Sequence, residues 1–426
     1  MAQCADRALT GAATAVCLLL GAFAPTAQGD DAQSLTLREA LERSLSVHPG
    51  LEVARAGVAV ATAHVREAQF GPAFEAGLEL ENFAGSGETS GTDALETTLQ
   101  LSRALEPGGK RAAAVAAARA EEASALASLD VSAVEIAGDT ARRFVAVLGA
   151  QEQLQAAGRF LELAEAIQIQ AERRVDAGLS LSAELHRARA EVGRQQLFVA
   201  RSRAELDLAR RALAASWGDP GSPVPAAAGD LFGIPPLEPI DEFLRRVEQS
   251  PRLASLATVE RLRTAELRLA ETESKPDLTL SFGVRHLSEP GDTALVAGVA
   301  VPLGTGARGR ARAQAAEAAL QQSQHQTAAD RLAITSMVMS LHRQIELRRE
   351  ALQVLETQIL PATAAALEQI DRGYRLGRLG YGEYAQAARE SLDAQLERLE
   401  LAAEFHQLLT ELEALTGTGV FSPGRS

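Results

Sequence analysis

The residues of this sequence that are best placed to act on a ligand are carboxylates on a predicted β-strand. Glu79 and Glu81 alternate with Leu78 and Leu80, so that in an extended strand the two acids share one face and the leucines share the other. Acidic side chains that line a pore favour cations. The alternative is that both acids simply form the solvated face of an amphipathic strand, and the sequence leaves both interpretations open.

The sequence shows no pattern typical of an enzyme or of a metal site. It has no nucleophile elbow, no phosphate-binding loop and no clustered acid–base set. The histidines are scattered, with no ligand spacing among them. They are His48, His64, His186, His286, His325, His342 and His406. We therefore predict that the protein is not an enzyme, needs no cofactor and encodes no metal site.

The composition favours long helices and argues against nucleic acid as a partner. The chain has 426 residues, of which only 4% are aromatic, and Ala, Leu, Glu and Arg dominate it. This mixture is typical of extended helical proteins rather than of mixed α/β enzymes. The formal net charge of -14 makes binding to DNA or RNA phosphates unfavourable.

The N-terminal segment 1–27 resembles a secretory signal peptide. Arg7 precedes an apolar run at positions 8–24, and small residues follow at Thr26 and Ala27. The run is too short for a typical membrane helix. Both cysteines of the chain lie inside this segment, so we expect the mature protein to have no thiol and no disulfide.

Two segments predict β-hairpins in a chain that is otherwise helical. Residues 73–103 contain two runs of alternating apolar and polar residues, separated by a loop rich in Gly, Ser and Thr. Residues 277–302 repeat this arrangement around a loop at 289–292. The sequence therefore predicts four amphipathic strands.

The helical segments include two that are very long, at about 109–176 and 309–375, with Pro361 expected to begin a new piece of the second. The first would measure ~100 Å if unbroken, so it needs packing partners along its length. Gly178 is expected to cap its end, and Ser182 to cap the returning helix, with Glu184 in the first turn. Apolar residues on the returning helix recur with the heptad spacing of a coiled-coil seam. They are Leu185, Val192, Val199, Leu206 and Leu213.

Glycines at matching positions in the two halves of the sequence indicate a tandem duplication. The offset of 199 residues that relates Gly377 to Gly178 also relates Gly417 to Gly218. We therefore divide the mature chain into a first repeat at 28–218, a Pro/Gly-rich linker at 219–240, a second repeat at 241–417 and a C-terminal tail at 418–426.

Four amphipathic strands are too few to close a membrane barrel, since the smallest such barrels have about eight strands. Open strand edges are not tolerated in lipid. A symmetric oligomer removes them, and three chains would supply roughly twelve strands. The long helices of the three chains would then form a hollow helical barrel that extends into the periplasm.

Several motifs resemble those of the TolC-type outer-membrane efflux channels, and within that family those of the heavy-metal, CzcC-like branch. The resemblance extends over essentially the whole mature chain. The matching segments are 37–41 (LREAL), 48–51 (HPGL), 79–87 (ELENFAGSG), 96–101 (ETTLQL) and 108–111 (GGKR).

The resemblance implies a mainly α fold with a small β part, in which tandem-repeat helical hairpins form a trimeric α-barrel and the strands form a 12-stranded transmembrane β-barrel. It implies a homotrimer in the outer membrane lipid that passively exports substrate, with divalent heavy-metal cations as the first choice. The implied partners are a periplasmic adaptor protein and an inner-membrane efflux pump of the RND type. Alternatives are a channel for drugs, other small organic molecules or type I secretion, and a soluble periplasmic coiled-coil scaffold.

The resemblance also implies that two helix–turn–helix tips, at 175–184 and 374–383, close the periplasmic entrance and dock the adaptor. Family members usually have a gate arginine two residues after the second-tip glycine, where this chain has Leu379 next to Arg378. Simple helix capping and first-turn electrostatics are the alternative roles of the tip glycines and glutamates, and ordinary helix packing is the alternative role of Tyr374. The residues assigned to the tips are Gly178, Glu184, Tyr374, Gly377, Arg378 and Glu383.

Overall fold

The computed structural model describes residues 34–83 and 85–417. The predicted signal peptide at 1–27 and the tail at 418–426 lie outside the described residues. The described chain is mainly helical with a small β part, as expected.

The same order of elements occurs twice along the chain. The first half comprises β1 Leu35–Thr36, α1 Leu37–Val47, α2 Pro49–Gln69, β2 Phe74–Glu81, β3 Glu96–Leu105, α3 Lys110–Asp176 and α4 Ser182–Ala214. The second half comprises β4 Ala227–Ala228, α5 Ile240–Val247, α6 Pro251–Thr272, β5 Leu278–Leu287, β6 Asp292–Ala300, α7 Thr305–Val354, α8 Leu360–Arg375 and α9 Tyr381–Thr416.

Equivalent contacts in the two halves support an internal duplication. Gly218 and Gly417 both adopt positive φ, +78° and +71°, just after a returning helix. An added Cβ at Gly218 would lie 3.7 Å from Pro49, and one at Gly417 would lie 2.9 Å from Pro251. Each proline is the first residue of its helix, where a missing N–H costs no hydrogen bond. The same turn therefore packs on the same helix start in both halves.

The long helix α3 is the common packing partner of the first half. It contains 67 residues, which corresponds to a length of ~100 Å. It packs against α2, α4, α6 and α9, while α7 packs against α6 and α9. On α4 the predicted seam faces these helices, since Val192, Leu206 and Leu213 are buried. None of the helices in the described ranges combines the length and apolarity needed to cross a membrane.

Two details of the helices differ from the expectation or refine it. The prediction that Ser182 caps α4 is wrong, because Leu181 occupies the N-cap and Ser182 is the first helical residue. Between α7 and α8 the chain remains helical through a π-helical turn, Leu355–Ile359, and Pro361 lies in the first turn of α8. The wider π turn accommodates the proline, which has no N–H to donate.

The segment 219–240 is rich in Pro and Gly but is packed against the helices. Val224, Ala227 and Leu231 are buried, and Ala227–Ala228 forms a short parallel ladder with Leu35–Thr36. The Gln151 amide receives the N–H of Ala227 at 2.7 Å and donates to its carbonyl at 3.1 Å. The segment therefore joins the two repeats as a fixed element of the core.

The strands form one antiparallel sheet with the order β2–β3–β5–β6. The two predicted hairpins meet along β3 and β5, whose residues pair from Glu96 with Leu287 to Leu105 with Leu278. The first hairpin was expected to end at 103, and β3 continues two residues further because Ala104 and Leu105 find partners on β5. Pairing between the repeats, rather than the local pattern, therefore sets the end of this strand.

The core between the helices of the second half depends on a few large side chains, of which Phe405 on α9 is fully buried. We predict that Phe405→Ala lowers the free energy of unfolding by about 3–5 kcal/mol, because it removes buried apolar area and leaves a cavity. Phe405→Leu keeps most of the volume and should cost clearly less. Denaturant unfolding of the detergent-solubilised protein, followed by circular dichroism, measures both, and equal losses would contradict the prediction.

Candidate functional site

One face of the sheet consists mainly of exposed apolar side chains. Successive residues of each strand alternate between the two faces, and Leu295 on β6 is 89% exposed. Large exposed apolar surfaces mark contact with lipid or with another protein. The exposed residues on this face are Phe74, Leu78, Leu80, Leu99, Leu101, Phe282, Val284, Leu295 and Val299.

The opposite face of the sheet is polar on three strands and contains an ionic cluster that joins the two hairpins. The Arg285 guanidinium lies 3.0 Å from Glu81, and donates to Glu96 at 2.9 Å and to the Thr98 hydroxyl at 2.9 Å. Glu79 is exposed on the same face, in the row that pairs with Thr98 and Arg285. The structure therefore brings Glu79 and Glu81 onto one face, and places a cation of the second repeat beside Glu81.

The sheet is open at both edges. Within the described residues, β2 pairs only with β3 and β6 pairs only with β5. Each edge strand therefore presents a row of main-chain N–H and C=O groups that the protomer does not satisfy. Such edges are templates for pairing with a further strand.

The two helix–turn–helix tips have the same backbone geometry. Gly178 and Gly377 have φ of +69° and +72°, which residues with a Cβ rarely adopt. The N–H of Gly178 donates to the Val175 carbonyl at 2.9 Å, and that of Gly377 donates to the Tyr374 carbonyl at 3.0 Å. The next residue in each tip donates back to the residue five positions earlier, so that both helices end in the hydrogen-bond pattern of a Schellman turn.

The two predicted tip glutamates both stabilise the start of a returning helix, by different contacts. Ser180 donates its hydroxyl to Glu184 at 2.6 Å. The N–H of Gly380 donates to Glu383 at 2.6 Å, so this carboxylate satisfies the main-chain donor of the N-cap residue. Both carboxylates also lie in the first turn, where the helix dipole favours negative charge.

A cluster of buried tyrosines holds the two tips together. Tyr374 and Tyr384 are each 1% exposed, and their ring centroids are 5.5 Å apart. Arg174, just before the first tip, donates to the Tyr374 carbonyl at 2.6 Å and its guanidinium lies 4.7 Å from the centre of the Tyr374 ring. Tyr381 is buried in the same cluster against Ala188 of α4. The cluster therefore connects the first repeat to the second directly at the tips.

The environment of these tyrosines favours the neutral phenol. Burial, and secondarily the carboxylate of Glu184, raises the pKa of Tyr374. Burial, and secondarily Asp371, raises the pKa of Tyr384. Within the described residues neither phenol oxygen has a hydrogen-bond partner.

The outer surface of the tips exposes leucines beside two exposed arginines of the second tip, Arg375 and Arg378. Leu179, Leu181 and Leu376 are exposed at the ends of the hairpins, and Arg378 is exposed beside them. Leu379 does not point into this surface and instead packs against Gly373. The tips therefore present an apolar patch of the kind that mediates protein contacts.

Three of the described histidines make hydrogen bonds that stabilise the fold. His48 accepts the N–H of Gly50 at 3.0 Å at the start of α2. His342 and His406 donate to the carbonyls of Glu238 and Leu231 at 2.9 and 3.0 Å. Among the described residues, no group of three or more His, Cys, Asp or Glu side chains is arranged to hold a metal ion.

Sequence reasoning assigned Tyr374 to the tip but missed Arg174, Tyr381 and Tyr384. One signal was available, because the chain contains only three tyrosines and all of them lie between positions 374 and 384. Arg174 had no such signal, since it is one of many arginines on helices.

A family model described as "Outer membrane efflux protein" matches residues 40–219 and 246–418, which is most of the chain. The chain belongs to the outer membrane efflux protein family. The two matched segments correspond to the two halves of the fold, and membership places this efflux protein in the outer membrane, with its helices extending into the periplasm.

Relatives and solved structures agree with this assignment. The efflux protein is 28% identical over 395 residues to the cobalt-zinc-cadmium resistance protein CzcC of Cupriavidus metallidurans, and the match covers 92% of each chain. It has the same fold as CusC, with a TM-score of 0.76, 18% identity and coverage of 90% of this chain and 92% of that one. VceC from Vibrio cholerae gives a TM-score of 0.74 at 20% identity, with coverage of 90% and 96%. The expected fold class and family are therefore confirmed.

A matched pair of glycines tests the tip geometry of this efflux protein. Gly178→Ala should destabilise the first tip by about 1–2 kcal/mol, because alanine is strained at positive φ. Gly193→Ala should stabilise α4 by about 0.5–1 kcal/mol, since that glycine is inside the helix with open space at its Cβ position. Hydrogen exchange of the amides at 175–184 measures local opening, and similar protection in both variants would contradict the assignment.

Proposed function

We propose that this protein is the outer-membrane exit channel of a tripartite efflux system, and that it works as a homotrimer through which substrate moves passively. The observation that carries this proposal is the four-stranded sheet with one exposed apolar face and two open edges. Three copies joined edge to edge would satisfy every strand and close a barrel of roughly twelve strands.

The dimensions and amphipathicity of the strands support this arrangement. The strands contain 8 to 10 residues, close to the 9–11 that a tilted strand needs to span a bilayer. The apolar face would contact lipid and the face with Glu79, Glu81 and Arg285 would line the lumen. The long helices then continue the channel on the periplasmic side of the membrane.

The tips support the proposal that a periplasmic adaptor docks at the end opposite the sheet, with an RND-type pump in the inner membrane as the energy source. The exposed leucines at 179, 181 and 376 supply an apolar docking surface. The contact between Arg174 and Tyr374 would help to hold the entrance closed. Gly178, Glu184, Gly377 and Glu383 would shape the turns, which would move when the entrance opens or contact the adaptor.

Divalent metal cations are the substrate class that we propose. The relative CzcC is named for resistance to cobalt, zinc and cadmium. Exposed carboxylates on the polar strand face, with Glu79 as the central example, would favour cations in the lumen. Small organic molecules and secreted proteins are the competing cargoes, and a soluble scaffold is the competing architecture.

Fractionation of the producing cells tests the architecture. The chain should be recovered in the outer-membrane fraction, and should run as a trimer-sized band in an unboiled gel lane that collapses to the monomer on boiling. A soluble periplasmic monomer would contradict the channel.

Deletion of the gene tests the cargo and should lower the resistance of the cells to cobalt, zinc or cadmium. Selective loss of drug resistance would instead indicate that the cargo is organic.

Single-channel recording tests the role of the strand carboxylates. Glu79→Gln should lower the cation-to-anion permeability ratio of the purified channel in a planar bilayer, because each trimer loses a ring of acidic charge. Glu79→Asp keeps the charge and should keep the ratio. An unchanged ratio in Glu79→Gln would show that this residue is only part of a solvated strand face.

A further inference from the structure

We propose that the groove where the sheet meets the long helices binds the phosphate of a membrane phospholipid, with the lipid's acyl chains on the adjacent apolar face. This inference rests on the proposed function for its orientation, since the helices mark the periplasmic end of the sheet. The ligand would be a phospholipid of the periplasmic leaflet, one for each protomer.

The groove combines an apolar wall with cations at its base. It has a volume of about 810 Å³. Leu105, Leu278 and Val301 contribute to the wall, and each follows the outward alternation of its strand. Arg103, on the same outward face as Leu105, and Lys275, next to the start of β5, also line the groove. An amphiphile with an anionic head fits this division between apolar and cationic groups.

The acids that line the groove are already paired. Asp277 receives the Lys110 ammonium at 2.6 Å, and Glu106 lies 3.8 Å from Arg111. Neither pairing involves Arg103 or Lys275. The carboxylates of the groove therefore compete little with an incoming phosphate.

Arg103 is held in place without being neutralised. It donates to the carbonyl of Pro72 at 3.2 Å and lies 4.6 Å from the centre of the Phe74 ring. In the described part of the chain it has no ion pair with a carboxylate within 4 Å. A guanidinium fixed in this way keeps donors for a phosphate, which it recognises well through its planar fork.

Lys275 is exposed and, like Arg103, has no ion pair among the described residues. Its side chain lies across Gly108, where an added Cβ would come within 2.3 Å of the Lys275 Cδ. Gly108 thus leaves room for the lysine to lie along the groove. The chain has a net charge of -14, and its only two lysines, Lys110 and Lys275, are both at this junction. Both lysines of this acidic protein therefore lie at the level where lipid headgroups would lie.

The groove is available in a trimer. Arg103 and Leu105 are on β3 and Leu278 is on β5, which are the two central strands of the sheet. Neighbouring protomers would join through β2 and β6, at the edges. The centre of each protomer's outward face would remain open to lipid.

Native mass spectrometry of the detergent-solubilised trimer tests the proposal with dioleoylphosphatidylglycerol as the probe. The wild type should retain up to three probe molecules per trimer, one for each protomer. The double variant Arg103→Gln/Lys275→Gln should bind the probe roughly tenfold or more weakly, because two charge-assisted contacts are lost. Arg103→Lys/Lys275→Arg keeps both charges and should retain binding.

The matched control is Arg201→Gln/Arg203→Gln, which removes two exposed arginines from α4 and should leave lipid binding unchanged. Equal binding by the wild type and the groove variant would overturn the proposal. The proposal would also be overturned if the groove variant lost binding of dioleoylglycerol, which lacks the phosphate, to the same extent. Tight binding of free glycerol phosphate by the wild type would overturn it as well. A heat-sensitive trimer in the outer membrane with no groove-dependent lipid would refute only this site, whereas a soluble monomer would refute the channel as well.

Discussion

The unsatisfied main-chain groups along β2 and β6 are the constraint on which the rest of this structure depends. An edge strand in water can be solvated, but an edge in lipid leaves its N–H and C=O groups without partners. Because the sheet also exposes a mainly apolar face, edge-to-edge closure with other copies satisfies both requirements at once. The helices that enter and leave the strands must then follow the same symmetry, so the sheet positions the long helices as well.

The long helices have a different requirement, because they must be stabilised along their full length without a globular core. The residues that α3 buries are largely small, such as Ala137, Ala141, Ala157 and Ala171, which lets neighbouring helices approach closely. Large side chains are concentrated where helices end or cross, as with Phe405 in the core of the second half and the tyrosines at the tips. This limited use of large side chains is consistent with the aromatic content of 4%.

The arginines that join the two repeats have different partners on the polar strand face and at the tips. On the polar strand face, Arg285 partly offsets Glu81 and Glu96 and also ties the first hairpin to the second. At the tips, Arg174 donates a hydrogen bond to a carbonyl and contacts an aromatic ring, rather than pairing with a carboxylate. A contact of that kind joins two helical hairpins without the large desolvation cost of a buried ion pair.

The sequence by itself determined the features that depend on neighbouring residues. Alternation at 76–81 and 95–101 determined strands, and Gly178 and Gly377 determined the tight turns. The tertiary structure alone decided contacts between distant residues, such as Arg174 with Tyr374, which are 200 positions apart, and Arg285 with Thr98, 187 apart. It also decided that the Pro/Gly-rich segment around Ala227 packs in the core. Local periodicity records which face of an element is apolar, but it does not record which partner covers that face, because the partner is chosen by the packing of the whole chain.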